Sequence, residues 1–76
     1  MELNDFIKNF ANQFDDTELD ELTPSTVYRE VDEWTSLIAL AVLNMIVKKY
    51  GVKVTPEEMR ATKTIEELYN LVNSKL

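Results

Sequence analysis

The sequence predicts an all-α domain: a small four-helix bundle with a long loop between helices 1 and 2 and a short third helix. Three observations predict it. Apolar residues recur at helical spacing near both ends of the chain. Nothing beyond Val52 to Val54 alternates with the period of two that a half-buried strand needs. The single glycine and the two prolines fall at helix boundaries or inside the one long loop, where they punctuate helices without interrupting them.

Taken in order, Leu3, Phe6, Ile7, Phe10 and Phe14 form one helical face, with Asn4, Lys8, Asn12 and Gln13 turned elsewhere. Its three phenylalanines read as core anchors. Asp15 to Trp34 lacks periodicity and contains Pro24, so it reads as a long loop. Loops of that length in a compact domain need a reason, and Leu19, Leu22, Val27, Tyr28 and Val31 are available to pin this one across the helices. Leu37 to Val47 holds one polar residue, Asn44, and Gly51 follows as a stop signal. Thr35 suits the N-cap, which makes Ser36 the first residue of helix 2. Val52 to Val54 is an extended link with two side chains to bury. Thr55-Pro56-Glu57-Glu58 supplies N-cap, N1 proline and N3 glutamate for a short helix running towards Arg60. Thr64-Ile65-Glu66-Glu67 repeats the capping device, and Ile65, Leu68, Tyr69 and Val72 stripe a last helix that ends near Ser74.

Length and composition narrow the function. The 76 residues suit a single domain, 1–76. Cysteine and histidine are absent, which removes disulfides, zinc-thiolate and imidazole ligands, and Ser-His or Cys-His catalysis. No nucleophile-base pair remains, so the expectation is a non-enzyme. Without disulfides or a leader-like segment the chain reads as cytoplasmic, and its longest apolar run is shorter than the ~20 residues that span a bilayer. A net charge of −6 argues against nucleic acid and anionic membranes as partners. The acidity is concentrated before helix 2, where ten acids face only Lys8 and Arg29. Asp16, Glu18 and Asp20 alternate as in a calcium loop, but Glu21 and Val27 stand where glycine and a closing glutamate are required, so no metal site is expected.

What remains is Ser36 itself. A phosphate ester on its Oγ would lie beside unpaired N–H groups at the positive end of a helix dipole. The plainer reading is a small polar residue near a cap. Helix 2 is also too apolar for one buried face. Some of Ile38, Ala39, Val42, Met45 and Val47 must point outward or into a cavity, and an exposed apolar face marks a partner surface.

The order of elements, Trp34-Thr35-Ser36-Leu37 opening helix 2, and Tyr50-Gly51-Val52 closing it together resemble the acyl carrier protein family, which includes the peptidyl carrier domains. Thr26 to Val31 resembles the apolar loop segment before that family's motif, and Thr64 to Leu68 the start of its last helix. The resemblance implies the acyl-carrier-type bundle and 4'-phosphopantetheine on Ser36. It further implies that the arm's thiol holds an acyl or aminoacyl thioester for fatty acid, polyketide or nonribosomal peptide biosynthesis. Its partners would be a phosphopantetheinyl transferase, an acyl- or aminoacyl-activating ligase and downstream biosynthetic enzymes, with the carrier a monomer. Thr35, Leu37, Ile38, Ala41 and Val42 are the candidate partner-binding residues, and Leu40, Leu43 and Ile46 candidates to line a cargo site. Two positions depart from the family pattern: Thr35 replaces the aspartate that usually precedes the serine, and helix 2 holds no acid. The alternative is an unmodified helical interaction module that docks a partner through helix 2.

Overall fold

The computed structural model describes residues 1–76 and contains four α-helices, with no strand beyond one isolated bridge. Helix α1 spans Leu3–Ala11 and buries Phe6, Ile7, Phe10 and Ala11. Phe14 joins the core from the turn after α1, not from the helix as its spacing suggested, because the chain tightens at Gln13 and Phe14 onto the carbonyls of Phe10 and Ala11.

Helix α2 spans Ser36–Tyr50, starts at the N-cap Thr35, and ends at Gly51, whose φ of 67° is the left-handed conformation that a side chain would strain. Val52 and Val54 then bury in the core while Lys53 faces solvent. Helix α3, Pro56–Arg60, starts with the expected reciprocal box: Glu58 N–H donates to Thr55 Oγ1 at 3.1 Å and Thr55 N–H to Glu58 Oε1 at 3.0 Å. Helix α4 spans Ile65–Ser74. No helix is long and apolar enough to cross a membrane.

Only half of the second capping device forms. Glu67 N–H donates to Thr64 Oγ1, but the Glu67 carboxylate accepts from Lys63 N–H at 2.7 Å instead of reaching back to Thr64. The long loop also contributes to this helix start. Val27 and Thr64 pair as an antiparallel bridge, so Ile65 N–H donates to Thr26 O at 3.1 Å and Glu66 N–H to Pro24 O at 2.9 Å. The loop therefore satisfies donors that a helix N-terminus otherwise leaves open.

The loop between α1 and α2 contains short 3₁₀ turns at Leu19–Glu21 and Tyr28–Glu30. Leu22 and Tyr28 are buried, whereas Leu19 stays largely exposed. Tyr28 is completely buried, and its hydroxyl donates to Met59 O at 2.8 Å while lying 2.6 Å from Thr62 Oγ1. Burial raises the pKa of this phenol, and the contacts with Thr62 and Arg29 only partly oppose the rise. The ring meets Phe10 edge-on at 5.7 Å and Trp34 at 5.0 Å, which joins loop, α1 and α3 in one core.

Tyr28→Phe keeps that packing and removes the hydroxyl from a buried polar network. We expect a loss of about 1–3 kcal/mol in unfolding free energy, measured by urea denaturation with an unchanged slope.

Candidate functional site

Thr35 ends an extended segment and accepts a hydrogen bond from Ile38 N–H at 3.2 Å through its side chain. Ser36 follows as the first residue of α2 and is exposed. The cap serves Ile38, so the N–H groups of Ser36 and Leu37 keep no intrahelical partner and add to the positive end of the helix. The start of α4, by contrast, is closed by loop carbonyls.

Two contacts hold the chain immediately before Ser36. Trp34 stacks on Phe10 with ring centroids 6.2 Å apart and planes 7° from parallel. Glu33 closes the loop on itself: its carboxylate accepts from the N–H groups of Asp15 at 2.6 Å, Asp16 at 3.0 Å and Thr17 at 2.8 Å, and from Thr17 Oγ1 at 2.8 Å. Desolvation pushes the pKa of Glu33 up. The hydrogen bonds from the Thr17 hydroxyl and the three N–H groups outweigh that and hold it below the ordinary value. This clamp was not visible in the sequence, since a glutamate and the loop turn it binds lie 16 to 18 residues apart with no periodic signal.

An apolar groove of about 290 Å³ opens beside Ser36. Trp34, Ala39, Leu40 and Leu43 form one wall with the serine, and Pro56, Met59, Arg29 and Arg60 complete it. Leu40 and Leu43 line it as expected. Ile46 does not, being fully buried within the core.

The exposed face of α2 carries Ser36, Leu37, Leu40, Asn44, Val47 and Lys48, which follow one another around the helix at three- and four-residue spacing. Leu37 is 78% exposed and Leu40 55%, large values for leucines on a structured helix. Of the residues considered for partner contact, Thr35 and Leu37 are exposed, and Ile38 and Ala41 are half-buried. Val42 is corrected: it is fully buried, on the side of α2 opposite Leu37 and Leu40, and Leu40 occupies the surface instead. Met45 likewise points inward, whereas Val47 points out.

The arrangement suits a phosphodiester tether. It offers an exposed serine hydroxyl at a fixed helix start, open N–H groups beside it, and an apolar recess within reach of whatever the tether carries. The arrangement is compatible with a helical carrier domain. A family model described as a phosphopantetheine attachment site matches residues 5–72, and the chain belongs to this family of acyl and peptidyl carrier proteins. Its cofactor is covalently attached 4'-phosphopantetheine, and its role is that of a non-catalytic carrier. No curated protein matches the chain.

Thr35→Ala removes the acceptor for Ile38 N–H and is expected to cost about 1 kcal/mol. Thr35→Asp retains an acceptor and adds negative charge at the positive helix end, for an expected gain of about 0.3–1 kcal/mol. Chemical denaturation at low ionic strength reads both. The lowered pKa of Glu33 sets a sign with pH: below about pH 4.5 the unfolded chain binds more protons than the folded one, so acid removes stability that is fully present at neutral pH. Glu33→Gln is accordingly less stable than the parent at pH 7, and the gap between their thermal midpoints narrows as pH falls through that range.

Proposed function

We propose that Ser36 is the attachment point of the 4'-phosphopantetheine arm and that the chain presents an acyl or aminoacyl thioester to enzymes docking on the exposed face of α2. The carrying observation is the exposed Ser36 hydroxyl at the first position of α2, beside an open helix start and an apolar groove. In the transfer, Ser36 Oγ loses its proton and forms the new phosphorus–oxygen bond, while the nucleotide half of coenzyme A departs. The arm supplies the thiol that the polypeptide lacks.

The chain's own residues prepare that step by position. Thr35 fixes the first turn, and Trp34 and Glu33 hold the preceding segment against the core, so the hydroxyl is presented from a firm surface. The open N–H groups of Ser36 and Leu37 favour the negative charge of the phosphodiester once formed. On α2, Leu37, Leu40 and Val47 give a partner enzyme an apolar contact, and Lys48 and Lys49 end the helix where cations complement its dipole.

That apolar face also supports a second reading, an interaction module that docks without modification. Incubation with coenzyme A and a broad-specificity phosphopantetheinyl transferase separates the two by intact mass. We expect one phosphopantetheine adduct, mapped to the peptide containing Ser36, and none in Ser36→Ala, whose stability changes by less than about 0.5 kcal/mol because the side chain is exposed. An unmodified parent mass, with the native transferase as well, moves the interaction module to the front.

A further inference from the structure

We propose that the groove beside Ser36 favours an acyl cargo whose free end is a carboxylate, a half-thioester of a short dicarboxylic acid, over an aminoacyl cargo with a free ammonium. The proposal rests on Ser36 as the attachment point. Two features of the groove carry it: apolar walls, and an unbalanced charge at their margin.

The walls come from Trp34, Leu40, Leu43 and Met59, so they accept a hydrocarbon chain and offer a polar one little to bond with. At roughly 30 Å³ for each water-sized group, a volume of about 290 Å³ holds on the order of ten heavy atoms. That is room for a short chain with a terminal group.

Both charged residues lining the groove are cationic, Arg29 and Arg60, and no carboxylate lines it. Arg29 is held at its post by long bonds to Met59 O at 3.3 Å and Arg60 O at 3.4 Å, which with its contact to the Tyr28 hydroxyl leave part of the guanidinium's donor set unused. Arg60 forms no ion pair, the one in the structure being Lys75 with Glu58. Neighbouring acids do not neutralise the pair. Glu33 is committed to the Asp15–Thr17 turn and Glu58 to Lys75 and Thr55, while Glu30, Asp32 and Glu57 lie outside the lining. A planar fork of donors matches a carboxylate, and the same two charges repel an ammonium.

The test loads Ser36 through a broad-specificity transferase with hexanoyl-, adipoyl- or aminohexanoyl-coenzyme A, chains of matched length ending in methyl, carboxylate and ammonium. Intact mass confirms loading. Thioester hydrolysis of each loaded form, normalised to the corresponding free coenzyme A thioester, reports how far the cargo is sheltered, and amide NMR shifts at Leu40, Leu43 and Met59 report whether it enters the groove. We expect the adipoyl form to show the largest shifts and to hydrolyse slowest, by about two- to fivefold relative to the aminohexanoyl form, as partly exposed ion pairs allow. That difference should shrink in about 0.5 M NaCl and in Arg60→Gln, whose side chain carries no contact on which the fold depends. Equal normalised rates, or a hexanoyl or aminohexanoyl form that is the most sheltered, overturn the proposal while leaving the carrier reading intact. Failure of all three to add mass at Ser36, with the native transferase as well, overturns the attachment reading, and the cargo proposal falls with it.

Discussion

The hydroxyl of Tyr28 holds the rest of this structure in place. A segment as long as the one between α1 and α2 loses much conformational entropy when it is ordered, and it has only two short 3₁₀ turns with which to satisfy its own backbone. Tyr28 resolves both difficulties at one residue. Its ring contributes the apolar burial that favours order, and its hydroxyl joins the cluster of donors on Met59 O just before the end of α3 and also meets Thr62 O. Once Tyr28 is seated, Val27 lies against Thr64, and the loop carbonyls at Pro24 and Thr26 meet the first N–H groups of α4. One buried side chain thus sets the loop, the short helix and the start of the last helix together.

The same arrangement explains why the functional end is firm. Trp34 lies against both Phe10 and Tyr28, so the residue two positions before Ser36 belongs to the core. Glu33 adds an electrostatic clasp, since successive backbone N–H groups at Asp15, Asp16 and Thr17 form a concave anion site that this carboxylate fills. The acid closest in sequence to Ser36 is therefore engaged within the fold. The next acids back along the chain, Asp32 and Glu30, remain exposed.

The parts of this fold that were legible in the sequence are those set by local chemistry. Thr35, Gly51 and the Thr55-Pro56-Glu58 box each act over a few residues, and the structure places each where its chemistry requires. The invisible parts depend on long-range contacts. Glu67 binds Lys63 N–H, and loop carbonyls take the Ile65 and Glu66 N–H groups, contacts that no local pattern announces. Helix α2 shows the other limit. Its sequence is apolar all round, so periodicity could not say that Val42 faces in and Leu40 faces out; only the positions of α1, α3 and the loop decide it. Ser36 was legible as a helix start, while the groove beside it required knowing that α3 and Arg29 close on the same face.

If partners dock on α2 as proposed, its composition sets how charge and apolar area would divide the work. Charged surfaces chiefly accelerate encounter and suppress wrong partners, whereas a well-packed apolar contact lengthens residence once a complex has formed. On α2 the exposed residues from Leu37 to Val47 carry no charge, and the lysines that follow sit at the far end from Ser36. For a partner docking there as proposed, steering by charge would come from the acidic segment before the helix, and the grip from Leu37, Leu40 and Val47. A partner that fits both is basic where it meets Glu30 and Asp32 and apolar where it meets the helix. A surface with basic residues along the length of α2 would bury cations against leucines and gain nothing to offset their desolvation. On the docking face proposed for α2, the absence of acids would disfavour partners built to read a row of carboxylates.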